Sequence, residues 1–591
     1  MIELIMKVFL VFPPQWSPAM PHLALPVLTA YLRSHGMQVI QRDLNLETYD
    51  AILSRRYLER VVEQVRAEFG KMYRGKLPEK LQQALKQKAG IAAQVEQAKT
   101  VFRSPAFYDG KTSLAAFGVI GQALELASLP FAPAKLDWFN YVSASPLDSN
   151  RALLQAVQDP QHNLFLGLFR RLILPDIERE RPDLVGISIP SGGQMLAGMT
   201  LAHLIKQSGL KCHVTVGGPH ISMLRDQLPQ TPALFRLIDS AIVFDGELPL
   251  LRLAEALDAP DGESDLSGVP NLIYRAGDRI LSNPADPAPR LRAGETVATP
   301  DFDGLPLTRY LAPELVLPLM TAHGCYHGRC AFCNVGYGGG KAFYPLPVDQ
   351  VFDQIQTLRQ KYGVRHIFFA DEAIPPRTLR LLSEQLAAQG SPIAWCGCAR
   401  FERSLSKDLL DGIARGGGRM LFFGLETACE RLMEHIVKGT QRETMSRILK
   451  ESAQAGIWNH LFYFFGFPTE TIQEALDTID FISAHQDSIH SASPGEFVLE
   501  RYSPVYFDPR KFGVAHIIQN PELDLAVYFK YELESGIDAA KAHTLVMQLR
   551  DRFPARRYFQ FYVYDVYRFL YASHLHAQGQ ALPLWLAEEG A

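Results

Sequence analysis

Apolar and polar positions alternate along the first part of the chain in the way expected of buried strands and amphipathic helices. Short apolar runs, interpreted as strands, lie at 7–12, 38–43, 183–189, 213–216 and 241–244. Helices are predicted between strands at 23–35 and 194–208. This alternation predicts a doubly wound parallel sheet in an α/β domain, whose ligands bind in the crevice at the carboxyl ends of the strands. The residues around those ends include Gln15, Trp16, Ser188, Gly217, Gly218 and His220.

Two stretches interrupt the alternation. A long insertion at about 46–177 is predicted to be helical, with a charged portion at 55–97. A segment rich in Pro, Gly, Asp and Ala, around a short strand at 271–274, predicts a hairpin-like linker over 269–310. The first domain is therefore expected to span 1–268.

The second half of the chain repeats a strand–helix unit six times within 311–505. The predicted strands are 316–321, 366–370, 393–399, 420–424, 459–465 and 496–499. In α/β barrels the chemistry lies where the strands end, at the C-terminal mouth. After this domain, 506–591 is predicted to be a helical C-terminal region, with helices at 525–535, 538–553 and 557–576. The last of these is rich in aromatic residues and is expected to pack mostly into a core.

Composition and charge narrow the classes of partner. The chain has 591 residues and a formal net charge of −4, which gives no electrostatic case for nucleic acid or an anionic membrane. The apolar start at 1–12 is short and runs into two prolines, and no run of about eighteen apolar residues follows. We therefore expect a cytoplasmic protein with neither a nucleic-acid nor a membrane partner.

The strongest chemical signal is a cysteine motif directly after an apolar strand. Residues 321–334 read T-A-H-G-C-Y-H-G-R-C-A-F-C-N and contain Cys325, Cys330 and Cys333. Three thiolates on a short loop suit an iron–sulfur cluster, because soft sulfur ligands hold iron well. A [4Fe–4S] cluster with three protein ligands keeps one iron open, which indicates a reaction site.

Zinc and disulfide bonding are the alternatives. His323 and His327 could join the cysteines in a zinc site, but no second C-x2-C pair or H-x3-H partner follows at finger spacing. The chain has seven cysteines, an odd number, and nothing secretory precedes them. Cys396 and Cys398 point to one face of the third predicted strand of this domain. They could contact the substrate or a second cluster, but they are expected to act as small buried hydrophobes.

At these residues the chain resembles the radical SAM superfamily, although the family's commonest spacing is C-x3-C-x2-C and here it is C-x4-C-x2-C. The resemblance implies a partial (β/α)6 barrel in which the open iron binds S-adenosylmethionine (SAM). It also implies SAM-binding roles at four strand ends, with a structural ion pair as the alternative for each charged residue. Asp371 or Glu372 would bind the methionine ammonium without the family's usual glycines, and Arg400 would bind the carboxylate. Glu426 would bind the ribose, and Gly466 and Glu470 fall in a stretch similar to the family's G-x-P-G-E-T, with Thr469 in place of glycine.

The first domain resembles the cobalamin-binding domain that precedes the cluster domain in one large radical SAM subfamily. That resemblance implies that Ser188, Gly217 and Gly218 pack around the nucleotide tail of cobalamin. Another cobalamin family has D-x-H-x-x-G after the first strand, whereas 13–17 here reads P-P-Q-W-S. This implies cobalamin without a histidine lower ligand, with Gln15 or Trp16 near its lower face and His22 or His220 as substitutes. A flavodoxin-like module that only docks on its neighbour is the alternative.

Together these resemblances imply an enzyme that cleaves SAM reductively and methylates an unactivated carbon of a small molecule, using a reductant such as flavodoxin or ferredoxin. A cobalamin-dependent rearrangement, ring contraction or cyclisation stays open, as does a non-catalytic redox-sensing or cobalamin-sensing module.

Overall fold

The computed structural model describes residues 6–74, 78–138, 140–258, 265–286, 296–337, 343–552 and 564–583. The chain divides into two compact units. Unit 1 contains Met1–Pro313 and Asn520–Ala526, and unit 2 contains Glu314–Gln519 and Val527–Ala591.

Unit 1 is built on a seven-stranded sheet in the order β2-β1-β5-β6-β7-β8-β9. Its strands are β1 Lys7–Phe12, β2 Gln38–Asp43, β3 Lys135–Leu136, β4 Tyr141–Val142, β5 Leu184–Ser188, β6 His213–Gly217, β7 Ser240–Ile242, β8 Leu272–Ala276 and β9 Arg279–Ser282. The strands β2, β1, β5, β6 and β7 are parallel, and β3 and β4 pair separately. The parallel strands have the flavodoxin-like order, which places the topological switch point between β1 and β5. The predicted doubly wound sheet is confirmed.

The segment at 269–310, predicted as a hairpin-like linker, contains a hairpin and lies within unit 1. β8 and β9 form an antiparallel hairpin at the sheet edge, with Gly277 in its turn at φ +61°. Leu272, Ile273 and Tyr274 are buried against the core, so this part of the chain belongs to unit 1. Glycine and polar residues mark the turn in the sequence, but the same residues also mark linkers.

The helices of unit 1 include those of the insertion predicted at 46–177. They are α1 Ala24–Ser34, α2 Leu44–Ile52, α3 Arg55–Met72, α4 Glu79–Phe102, α5 Gly110–Ser128, α6 Asn150–Ala156, α7 Leu164–Leu172, α8 Leu174–Glu180, α9 Met195–Gln207, α10 Pro219–Met223 and α11 Glu247–Leu257. Among the described residues, one helical segment, Gly110–Phe131, has the length and apolar composition to cross a membrane, and 44% of that window is buried inside the protein.

Unit 2 contains six parallel strands in chain order, β10-β13-β14-β15-β16-β17. The strands of the unit are β10 Val316–Leu319, β11 Ala322–His323, β12 Tyr344–Pro345, β13 His366–Phe369, β14 Ala394–Ala399, β15 Gly418–Glu426, β16 Trp458–Phe465, β17 Ser491–Glu496, β18 Leu499–Glu500, β19 Val514–Ile518 and β20 Tyr528–Leu533. Between the six parallel strands lie α12 Val348–Tyr362, α13 Pro376–Ala388, α14 Lys407–Arg415, α15 Glu430–His435, α16 Arg442–Gln454 and α17 Ile472–Ala484. The predicted six-fold βα arrangement is confirmed, with its sixth strand at Ser491–Glu496 rather than 496–499.

The region predicted as helical at 506–591 also contains strands. β20 replaces the helix predicted at 525–535 and pairs with β18 and β19 in an antiparallel sheet. The prediction was wrong because the side chains of Tyr528–Leu533 alternate between exposed and half-buried, which is the period of a strand.

Helices complete the C-terminal region as α18 Pro504–Phe507, α19 Ala539–Arg552 and α20 Asp565–Ala577. Tyr567 and Phe569 of α20 are fully buried, and the helix packs against β14 and β15, as expected for an aromatic core helix. The other aromatic residues of that prediction at 558–562 lie outside the described residues.

Candidate functional site

The three motif cysteines lie on one loop, between β11 and β12, beyond the carboxyl end of β10. Cys330 is buried, and Cys325 and Cys333 are half-buried. Between the last two cysteines, the N–H of Ala331 donates to the carbonyl of Ile436 at 2.8 Å, and Phe332 packs edge-on against Phe464. The loop is therefore held by the apolar core of unit 2.

The thiols are close enough to affect one another. Burial, together with the smaller effects of the nearby Glu372, Cys330 and Cys325, raises the pKa of Cys333 to about 12. A buried thiol of this kind has to lose its proton when it binds iron, so cluster assembly and proton release are coupled. In the parts of the chain that the structure describes, no group of three His, Cys, Asp or Glu converges on a point where one metal ion could bind. A cubic cluster needs a different arrangement, because each cysteine binds its own iron. One buried and two half-buried thiols on one loop fit that requirement.

Asp371 and Glu372, at the end of β13, have different surroundings. The Asp371 carboxylate accepts hydrogen bonds from the Thr321 and Ala322 N–H groups and from the Thr321 hydroxyl, at 2.6–3.0 Å. Burial still raises its pKa to about 6. The Glu372 carboxyl has no hydrogen-bond partner among the described residues. It is open to water, although the surrounding protein raises its pKa. Of the two predicted SAM ligands, Asp371 therefore holds the start of the cluster loop, and Glu372 is available to a ligand.

Arg400 and Glu426, at the ends of β14 and β15, are both buried. The Arg400 Nη1 lies 3.9 Å from the Cys330 sulfur, and its Nη2 donates to the carbonyl of Lys438. Glu426 forms an ion pair with Lys438, whose Nζ lies 2.8 Å from its Oε1. Lys438 was not predicted as a site residue. The sequence offers one weak local signal for it, its position directly after the apolar residues that follow α15.

Gly466 and Glu470, after β16, close a turn on each other. The Glu470 carboxylate accepts a hydrogen bond from the Gly466 N–H, and burial raises its pKa to about 7. Thr469 lies in the same turn at φ +74°, a left-handed conformation that is unusual for a β-branched residue. The glycine expected from the family pattern suits that backbone, and threonine occupies it here. Both predicted residues are brought together, and each is bonded within the turn.

In unit 1 the loops after β1 and β5 meet at the switch point. Gln194 donates from Nε2 to the carbonyl of Pro13 at 2.7 Å. Gln15 is buried and donates to the Tyr49 hydroxyl at 3.2 Å, whereas its Oε1 is buried with no partner among the described residues. The N–H of Trp16 donates to Asn45, and its ring lies edge-on to Phe12 and His22. An unpartnered buried acceptor beside this crevice fits a polar ligand.

Gly218, directly after β6, has a steric reason within the protein to lack a side chain. A Cβ on Gly218, at φ +112°, would lie 2.9 Å from the backbone of Ile189. The missing side chain therefore lets two loops of the protein approach each other. The expected approach of these glycines to a cofactor stays a prediction. Gly217 pairs with Ser188, which is buried at the end of β5.

The two histidines proposed as substitute ligands are both neutral at pH 7. Burial lowers the pKa of His220 to about 4, and a Cβ on Gly192 would lie 3.2 Å from its ring. Burial also lowers the pKa of His22 to about 4, and its Nδ1 accepts a hydrogen bond from the Ala24 N–H.

Comparisons with known proteins agree with this geometry. Residues 319–482 match the sequence family described as the Radical SAM superfamily. The chain is 26% identical over 340 residues to an uncharacterized methyltransferase of Pyrococcus horikoshii, covering 56% of this chain and 72% of that protein. It is 23% identical over 394 residues to cytidylyl-2-hydroxyethylphosphonate methyltransferase of Streptomyces wedmorensis, covering 60% and 69%.

Two solved structures match nearly the whole chain. The radical SAM methyltransferase TsrM from Kitasatospora setae, with cobalamin and a [4Fe-4S] cluster bound, has a TM-score of 0.58 at 15% identity and covers 98% of this chain and 100% of its own. The cobalamin-dependent radical enzyme OxsB, with aqua-cobalamin and SAM bound, has a TM-score of 0.58 at 14% identity and covers 98% and 76%. At these identities the matches establish the fold.

Proposed function

Because the chain belongs to the radical SAM superfamily and shares the fold of two cobalamin-dependent members, we propose that it is a cobalamin-dependent radical SAM methyltransferase. The observation that carries the proposal is the cysteine loop. Cys325, Cys330 and Cys333 lie together at the carboxyl end of a six-stranded parallel sheet. The methyltransferases among the relatives support methylation as the outcome.

The three cysteines would hold the cluster, and the residues around them would hold SAM. When bound, the cluster supplies the electron that cleaves SAM, and cobalamin supplies the methyl group. Glu372 is the best candidate for the methionine ammonium, because its carboxylate is open and has no described partner. Glu426 would bind the ribose, and Gly466 and Glu470 would shape the turn beside the adenine. Arg400 would bind the SAM carboxylate from a guanidinium already held against Cys330.

Unit 1 would hold cobalamin in the crevice at the carboxyl ends of β1, β5 and β6. Gln15 and Trp16 follow β1 and would lie near the lower face of the corrin. The pocket of the nucleotide tail would be lined by Ser188 at the end of β5, Gly217 at the end of β6, and His220 after it. Gly218 would hold the loop against Ile189. Ligands of flavodoxin-like sheets bind at this switch point.

The small-molecule substrate would bind on one face of the six-stranded sheet. Phe368, Cys398 and Phe462 are half-buried there, and the buried Phe422 contacts both phenylalanine rings. An apolar wall with few polar groups is typical of small-molecule sites. A reductant such as flavodoxin or ferredoxin would supply the electron. The free thiols of the chain favour a reducing cytoplasm.

The test is anaerobic. The protein is reconstituted with iron, sulfide and hydroxocobalamin, given reductant and SAM, and assayed for 5′-deoxyadenosine and S-adenosylhomocysteine. Both products, with bound corrinoid, are expected from the wild type and not from C330A. The control is C212A, which removes a free cysteine of unit 1, outside the loop and outside the proposed sites, and should retain SAM cleavage. Deoxyadenosine without S-adenosylhomocysteine would favour a rearrangement, and neither product from a loaded protein would refute the proposal.

A further inference from the structure

The segment 436–439, directly after α15, brackets the cluster loop with its backbone. The carbonyls of its first three residues accept hydrogen bonds, in order, from Ala331, His327 and Arg400. Left-handed backbone at Val437 (φ +55°) and Gly439 (φ +71°) lets the chain turn between these bonds. The bracket therefore fixes the cluster loop at two points and the neighbouring arginine at a third.

The side chain of Lys438 points from this bracket to the predicted ribose site. Its Nζ donates to Glu426 Oε1 at 2.8 Å, and the two side chains are only 6% and 12% exposed. A Cβ on Gly424 would lie 2.3 Å from that Oε1 and 2.7 Å from the Nζ. The ion pair thus occupies the space above Gly424, which explains the glycine in F-G-L-E-T.

Lys438 also lies beside the cluster loop. Its Nζ is 5.8 Å from the centre of the Phe332 ring, next to Cys333 in the chain. Its carbonyl holds Arg400, whose Nη1 reaches the Cys330 sulfur at 3.9 Å. One residue therefore contacts a predicted SAM ligand through its side chain and, through its backbone, an arginine that contacts Cys330.

We propose that Lys438 is a positioning residue that couples SAM recognition to the cluster. Its ammonium holds Glu426 in place for the nucleoside of SAM, and its backbone holds Arg400 against Cys330. Without the ammonium, the buried Glu426 carboxylate loses its partner and no longer keeps its position. A positive charge near an iron–sulfur cluster stabilises the reduced form, so its loss makes the reduction potential more negative. This inference rests on the proposed function for the SAM site.

The test uses the full chain, reconstituted anaerobically, as K438Q, K438R and the control K407Q. Lys407 forms a lysine–carboxylate pair with Asp411 on the exposed surface of the same unit. The measurements are iron and sulfide content, the cluster's midpoint potential, and the Kd of SAM for the oxidised protein. K438Q should keep its iron, show a more negative potential and bind SAM about 10–100-fold more weakly, the range seen when partners of ligands are removed. K438R should restore the potential and part of the affinity, and K407Q should match the wild type.

A double variant tests the route through Glu426. If Lys438 acts by holding Glu426, K438Q/E426Q should bind SAM no more weakly than E426Q alone, whereas fully additive losses would overturn the coupling. G424A is a second variant for the case that K438Q assembles a cluster poorly. It displaces the ion pair but keeps both charges, and it should also weaken SAM binding. Equal Kd and potential in K438Q and K407Q would refute the role of Lys438. Absence of SAM cleavage by the wild type would instead refute the proposed function. The two tests are separate, because the midpoint potential is measured without turnover.

Discussion

The carboxylate of Asp371 accepts hydrogen bonds from both the backbone N–H and the hydroxyl of Thr321, at 3.0 and 2.6 Å. It also accepts one from the N–H of Ala322 at 2.8 Å. Asp371 ends β13 and Thr321 begins the cluster loop after β10. One buried side chain therefore sets where the loop that carries Cys325 leaves the sheet.

Replacement of Asp371 should mainly affect the position of the cluster loop and only indirectly the SAM ligands. In D371N the amide nitrogen cannot accept the bonds that one carboxylate oxygen accepts, and a buried donor left unpaired costs about 1–3 kcal/mol. We expect lower stability of the apo chain and less iron bound after reconstitution. Iron content and denaturant unfolding measure this, with D353N on the exposed side of α12 as the control. Full iron content in D371N, with stability equal to D353N, would show that the clamp is not needed.

Replacement of Glu470 by the neutral glutamine should destabilise the protein less than its replacement by the shorter alanine. Burial raises its pKa to about 7, so the folded state holds the proton more tightly than the unfolded state. Its contribution to stability is therefore complete below about pH 4.5 and is lost as the pH rises through about 7. E470Q keeps an acceptor for the Gly466 N–H, and E470A removes it at a cost of about 1–3 kcal/mol. Denaturant unfolding at pH 5 and pH 8 should find E470A the less stable and E470Q less dependent on pH than the wild type. Equal stabilities of E470A and E470Q would contradict this.

His490 should make unit 2 more stable as the pH rises. Burial lowers its pKa to about 4, and its Nδ1 accepts a hydrogen bond from the Asn459 N–H at 2.9 Å. The unfolded state binds the proton between about pH 4 and 6.5 and the folded state does not, so stability increases over that window by up to roughly 3 kcal/mol. H490N keeps an acceptor and removes the titration. The gain in unfolding free energy from pH 5 to pH 7 should be smaller in H490N than in the wild type or in H516N, which changes an exposed histidine. An unchanged gain in H490N would exclude His490 as its source.

Alanine substitutions at Gly218 and Gly209 distinguish the cost of a steric clash from the cost of backbone strain. Both have positive φ, +112° and +76°, but a Cβ on Gly218 would meet the Ile189 backbone at 2.9 Å, whereas one on Gly209 would meet nothing within 4 Å. G209A should therefore cost about 1–2 kcal/mol for the left-handed backbone, and G218A more, with the contact added. Unfolding of unit 1, followed by a probe on its own residues, measures the difference. If G218A is no less stable than G209A, the loops can separate at little cost.

Much of the architecture followed from local patterns in the sequence. The apolar runs located five parallel strands of unit 1 and the first five of unit 2, because these buried strands carry apolar side chains. They misplaced the sixth strand of unit 2, whose sequence at Ser491–Glu496 is small and polar. The spacing of Cys325, Cys330 and Cys333 defined the cluster loop, since neighbouring residues on one loop cannot be far apart. The pattern failed at β20, where alternating polar and aromatic residues were interpreted as a helix.

The tertiary structure decided which side chain each buried polar group meets. Nothing near Asp371 in the sequence indicates that its partner is Thr321, and nothing near Glu426 indicates Lys438. Adjacent carboxyls at one strand end, Asp371 and Glu372, acquire different roles because one faces the loop and the other faces open space. The sequence determined the strands and the cysteine loop through the short-range periodicity of apolar residues. The folded chain alone decided the hydrogen bonds and ion pairs around that loop, because burial requires a partner and only the packing of distant segments supplies it.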